Sequence, residues 1–396
     1  MNHDPVVIVS AVRTAMGGFQ GVFGSVKATE LGSQAIKAAI ESLDMPTDAV
    51  DELYMGCVLP AGLGQAPARQ AAFGAGLALS TPCTTVNKMC GSGMKATMLA
   101  YDGLCAGSST VAVAGGLESM SNAPYLLPKA RSGQRLGHGQ VIDHMFLDGL
   151  EDAYEQGRLM GSFAEDCADH YRFSRDRQDA FAITSLKRAK QANQDGSFAT
   201  EIAPVTVTGR HGETVVDRDE QPFNADLDRI SKLKPAFRRD GTVTPANASS
   251  ISDGAAALVL MRRSEAERRH LKPLAIVHGH TNYAQQPALF TTAPVGAIRR
   301  LLERLNWSAS SVDLYEINEA FAVVTMAAMV ALDLRHDKVN IHGAACALGH
   351  PIGASGARII VTLLHALDKY QLKRGVASLC IGGGEATAIA IERTTP

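Results

Sequence analysis

Residues 353–384 read GASGARIIVTLLHALDKYQLKRGVASLCIGGG. The glycine-rich start opens a helix that runs to about Lys369. Residues 376–381 then form a strand, which stops at Gly382-Gly383-Gly384. An earlier stretch repeats this order. Gly91-Ser92-Gly93 is followed by a helix to about Gly107, a β-rich run over 110–114 and Gly115-Gly116. Ser92 precedes Gly115 by 23 positions, and Ser355 precedes Gly382 by 27. Two segments with the same order of loop, helix, strand and glycine pair predict a duplicated α/β unit.

Working outward, residues 6–12 read as a strand. Leu31, Ala35, Ile36, Ala39, Ile40 and Leu43 fall at helical spacing over 28–43. A short strand is expected at 56–59 and a small-residue helix at 65–77. This alternation predicts a buried, largely parallel sheet covered by helices. Residues 120–248 differ: they are richer in charge, glycine and proline, with a charged helix over 175–193 and a polar, turn-rich stretch over 210–241. They read as an inserted loop or cap domain. Strand character resumes at 255–261, and another α/β series opens at 276–279. The expected division is 1–119 with 249–273, then 120–248, then 274–396.

At 396 residues the chain exceeds the ~250–300 at which single cores stop growing. Hydrophobic residues make up 46% and charged residues 20%, which suits a globular protein with a sizeable core. The net charge of −2 gives no reason to expect a nucleic-acid or membrane partner. The longest apolar stretch, 321–332, is broken by Thr325 and falls short of the ~20 residues that span a bilayer. Residues 1–5 carry an acid and no basic cluster, and residues 393–396 carry no lipidation signal. A cytoplasmic location is therefore the expectation. The seven cysteines form no C-x-x-C pair, against structural zinc and a disulfide framework. No metal-ligand cluster or dinucleotide fingerprint is visible.

Four stretches carry chemistry. Cys90 precedes a helix, where the positive end of the macrodipole and unpaired N–H groups would lower a thiol's pKa. Gly91 and Gly93 leave room for a carbonyl, and the backbone N–H groups could bind an oxyanion. The plainer reading is a buried cysteine. His350 is followed by Pro351 on a loop rich in glycine, which positions the imidazole. Cys380 stands at the carboxyl end of a strand, where α/β sheets gather active residues. Asn318 lies between a strand over 312–317 and an apolar helix from Ala320, as a helix N-cap or as a group orienting a water.

Together, Asn87-Lys88-Met89-Cys90-Gly91-Ser92-Gly93, Asn318-Glu319-Ala320-Phe321, Gly349-His350-Pro351-Ile352-Gly353-Ala354-Ser355-Gly356 and Cys380-Ile381-Gly382-Gly383-Gly384 resemble the thiolases over essentially the full length. The resemblance implies a thiolase-like fold and acyl transfer between coenzyme A thioesters by Claisen condensation or thiolysis. It makes Cys90 the nucleophile, His350 the base that takes its proton and Cys380 the second acid/base. The N–H groups of Cys90 and Gly382 would stabilise the tetrahedral intermediate, and His350 with a water on Asn318 the enolate. Ser249 would contact the pantetheine arm of coenzyme A, with Met160, Phe290, Ala320 and Phe321 around the acyl group. Coenzyme A enters as substrate, with no metal or other cofactor, and a homo-oligomer, dimer or dimer of dimers, is implied, with 131–148 at a tetramer contact.

Two departures from the family stand out. Leu159-Met160-Gly161 replaces the His-Met-Gly common in acetoacetyl-CoA thiolases, and Pro222-Phe223 aligns with an Arg-His pair that grips coenzyme A. Arg229, Lys232, Lys234, Arg238 and Arg239 could supply replacement charge. Three alternatives stay open: a β-ketoacyl synthase-like condensing enzyme, a non-catalytic acyl-CoA or lipid-binding relative, and a cysteine hydrolase. Cys380 argues against the first.

Overall fold

The computed structural model describes residues 4–209 and 212–394. The expectations placed on residues 1–3 and 395–396, and on the first two residues of 210–241, lie outside them. In the first half the main elements are β1 (Val6–Thr14), α1 (Ala28–Glu41), β2 (Glu52–Gly56), α2 (Pro67–Gly74), β3 (Cys83–Val86), α3 (Ser92–Ala106) and β4 (Val111–Ser119). The intervening segment carries α4 (Met160–Tyr171) and α5 (Arg175–Gln194). Then follow β5 (Ser252–Arg262), β6 (Ala275–Ala284), α6 (Ala293–Leu305), β7 (Leu314–Ile317), α7 (Ala322–Leu332), α8 (Ser355–Lys369), β8 (Arg374–Ile381) and β9 (Glu385–Arg393).

The long strands join in the order β7-β8-β9-β6-β1-β5-β4-β2-β3. Each half repeats one topology. In the first, β1, β5 and β4 are antiparallel neighbours and β2 adds parallel to β4. In the second, β6, β9 and β8 are antiparallel and β7 adds parallel to β8. The halves meet through two residue pairs of β1 and β6, Val7 with Ile276 and Ile8 with Ala275. The sheet is thus mixed, with an antiparallel centre and parallel margins, and not largely parallel. The cause is local: Gly382–Gly384 turns β8 straight back into β9 as a hairpin, and hairpins force antiparallel pairing. The strand expected at 56–59 lies earlier, at Glu52–Gly56, and Val58 and Leu59 serve instead in an apolar cluster with Ile352.

Alternation along β1 separates two apolar layers. Val7 and Val9 pack with Leu31 and Ile36 of α1; Val6 and Ile8 pack with Met94 and Met98 of α3 and Ile359 and Leu363 of α8. A third layer sets Ile298 and Leu301 of α6 on Val376, Ala388 and Ala390. Helices α3 and α8 therefore lie back to back in the centre. Glycine makes this possible. A Cβ on Gly356 would sit 2.4 Å from Met94 N, and one on Gly93 2.8 Å from Ala357 N. Both chemistry-bearing loops lead into these two helices, so their close crossing brings the loops together. Arg13 anchors the intervening segment from β1: its Nε donates to Glu201 Oε1 at 2.5 Å and its Nη1 to Asp219 Oδ1 at 2.7 Å, all fully buried.

Candidate active site

Cys90 is held by a tight turn before α3. Gly91 N–H donates to Lys88 O, and the Ser92 hydroxyl donates to Met89 O at 2.6 Å while accepting from Lys88 N–H at 2.8 Å. Met89 pays for this turn with φ +47°, a left-handed conformation that side chains disfavour. Helix α3 starts at Ser92, with Gly91 as its cap, so Cys90 lies just outside the helix. A Cβ on Gly91 would meet Ile381 Cδ1 at 2.3 Å. The glycine lets the end of β8 press against the Cys90 loop.

That contact sets Gly382 and Cys90 on one cavity wall, where their N–H groups favour the Cys90 thiolate. Burial outweighs these donors and pushes the thiol up to about 11. The expected lowering by the helix end is thus corrected: desolvation opposes the thiolate more strongly than the dipole favours it. Cys380 is buried among Phe290, Ala320 and Phe321, with Met160 packed on the cluster. Burial, and then the neighbouring Cys90, push its thiol well above the ordinary range.

His350 arrives from the second half. Its N–H donates to Ser250 O, and Gly349 before it has φ +100° where a side chain would strike Ser252 Oγ. The Ser355 hydroxyl donates to Pro351 O at 2.9 Å, so it accepts from His350 Nδ1–H at 2.5 Å. That fixes the tautomer and leaves Nε2 as an acceptor, with the Asn318 Nδ2–H donating to it at 3.5 Å. Burial, and then Arg358, push His350 down to about 3, so the ring is neutral at ordinary pH. Asn318 is not a helix cap: α7 starts four residues later. Its Oδ1 is fully buried without a hydrogen-bond partner among the described residues, as suits a group that receives a water.

An apolar cavity of about 360 Å³ joins these groups. Cys90, Met160, Ser249, Phe290, Ala320, Phe321, His350 and Gly382 all line it; buried Cys380 packs with the lining Phe290, Ala320 and Phe321, and buried Asn318 stands against the lining His350. Ser249 Oγ donates to Ala320 O at 3.0 Å and so faces a ligand as an acceptor. A second cavity of about 380 Å³ shares Pro245 and Ser250 with the first and reaches Arg229. Of the other expected cations, Arg238 is already engaged by Asp169 at 2.7 and 3.1 Å, and Lys232, Lys234 and Arg239 are exposed.

Sequence reasoning missed the supports. Asn340 grips both backbone groups of Ile317 and donates to Glu319 Oε1 at 2.9 Å. Glu319 also accepts from Ser185 Oγ and Cys346 N–H. This buried knot holds the Asn318 loop. A buried glutamate inside Asn318-Glu319-Ala320-Phe321 was the available signal.

The family model described as thiolase, N-terminal domain, matches residues 6–264, and thiolase, C-terminal domain, matches 271–393. The acetyl-CoA acetyltransferase of Schizosaccharomyces pombe is 49% identical over 395 residues, covering 99% of this chain and 100% of that protein. The cytosolic acetyl-CoA acetyltransferase of Mus musculus is 47% identical, covering 98% of each. The crystal structure of the Acat5 thiolase from Ascaris suum in complex with coenzyme A superimposes with a TM-score of 0.93 at 41% identity, over 98% of this chain and 100% of that one. With both halves matched and the whole length covered, the chain belongs to the thiolase family.

Proposed function

We propose that the chain joins two acetyl-CoA into acetoacetyl-CoA and free coenzyme A, and runs the reverse cleavage of 3-ketoacyl-CoA. The supporting observation is the meeting of Cys90, Cys380 and a neutral His350 around one apolar cavity. His350 Nε2 takes the Cys90 proton, and the thiolate attacks the thioester carbonyl. Coenzyme A leaves with that proton, and the acyl group stays on Cys90. Cys380 then removes an α-proton from a second acetyl-CoA. The carbanion attacks the acyl carbonyl and expels Cys90. The N–H groups of Cys90 and Gly382 stabilise the tetrahedral oxyanion; His350 and the Asn318 water stabilise the enolate.

The coenzyme A arm runs from Cys90 past Ser249 toward Arg229, through the two adjoining cavities. Coenzyme A is a substrate, and the reaction needs no further cofactor. We assign 1–119 with 249–273 and 274–396 to the two catalytic domains and 120–248 to an inserted one. We further infer a cytoplasmic homo-oligomer, a dimer or homotetramer with 131–148 at a contact, in fatty acid metabolism; among the described residues no helix is long and apolar enough to cross a membrane. Acetoacetyl-CoA plus coenzyme A should give two acetyl-CoA, followed as loss of the enolate absorbance. Release of free acid from acyl-CoA without added coenzyme A would overturn this reading in favour of a hydrolase.

A further inference from the structure

Glu118 is the penultimate residue of β4 and is fully buried. Its Oε2 accepts from Val58 N–H at 2.9 Å and Gly353 N–H at 2.8 Å, and its Oε1 from Leu59 N–H at 3.1 Å. Val58 and Leu59 follow β2 in the first half. Gly353 stands three residues beyond His350 in the second. A Cβ on Gly353 would lie 2.5 Å from Glu118 Oε2, so only glycine lets the N–H come this close. One carboxylate thus clasps the loop after β2 in the first half to the loop before α8 in the second.

We propose that Glu118 is a positioning residue for acyl transfer: it locks the His350 loop against the Val58-Leu59 segment, which packs with Cys90 and Ile352 in one apolar cluster, and it carries its charge on the Cys90 side of the site. This rests on the acyl-transfer reading above. Three N–H donors converge on the carboxylate, and only an acceptor can receive them all. The titratable groups facing it are Cys57, 3.6 Å from Oε1, and Cys90. Its charge pushes both thiols up, in addition to burial. Burial pushes Glu118 itself up to about 7, against the pull of its donors.

Glu118→Gln keeps the shape but turns one acceptor into a donor facing N–H groups. In the folded variant, checked by circular dichroism, the inflection of iodoacetamide labelling at Cys90 should move to lower pH. Thiolysis kcat should fall by on the order of tenfold to a hundredfold, with KM much less affected. Glu118→Asp keeps the charge but shortens the reach: kcat should fall with the labelling inflection in place. An unchanged inflection and kcat in folded Glu118→Gln overturns the proposal. Should neither variant fold, amide exchange in the unaltered protein decides. The Val58, Leu59 and Gly353 amides should exchange as slowly as those of β4, and loop-like exchange overturns the assignment. Labelling and exchange need no turnover, so a failure here is distinct from failure of the acyl-transfer reading.

Discussion

Cys90 and Cys380 are chemically identical groups given different work by their surroundings. Cys90 lines the cavity under two N–H groups, while Cys380 sits behind it, nearly sealed. Cys90→Ala should abolish acyl-enzyme formation, read by mass spectrometry after acetyl-CoA. Cys380→Ala should still acylate yet lose condensation, and condensation at the parent rate would remove its assignment. A neutral His350 carries a pH prediction. Its pKa lies below its unperturbed value, so lowering the pH from about 8 to 5 leaves the ring unprotonated in the fold. The acylation rate should show no imidazole inflection in that range, measured by stopped-flow. Ser355→Ala frees the ring to change tautomer and should slow acylation by on the order of a hundredfold. Glycines beside each reactive residue made Cys90, His350 and Cys380 legible in the sequence. The partner roles of Asn340 and Ser185 on Glu319 were not, because polar residues advertise a buried partner only once distant segments are in contact.

Long helices read well, whether apolar-faced as over 28–43 or charged as over 175–193: both came within two residues of α1 and α5. Strands read less well. Cys83–Val86 is short and lies at the sheet's edge, with little apolar pattern to mark it. Glu385–Arg393 alternates only small and medium apolar residues, and missing it turned a mixed sheet into an expected parallel one. The α3–α8 crossing gives an element-scale test. Gly356→Ala pushes a methyl into the backbone of Met94 and should cost about 1–3 kcal/mol, read as a lower denaturant midpoint. The same strain should separate the Cys90 and His350 loops, so kcat should fall in the folded fraction as well.

At the scale of the molecule, the repeated halves were legible because the repeat keeps its glycine punctuation. The clasp between β1 and the intervening segment was not, since Arg13 lies 188 positions from Glu201 and 206 from Asp219. Arg13→Ala strands two buried carboxylates and should destabilise the chain by about 3–5 kcal/mol, seen in a shifted unfolding curve. The narrow seam between β1 and β6 has a consequence of its own. With two residue pairs joining the strands, the α3–α8 layer carries the rest of the contact between the halves, and with sulfur and imidazole supplied from opposite sides, loosening of that layer leaves a chemically silent molecule even if each half keeps its secondary structure. On heating, the rate should therefore vanish before the far-ultraviolet signal does. Enzyme activity becomes a sensor of the first cooperative unit to open.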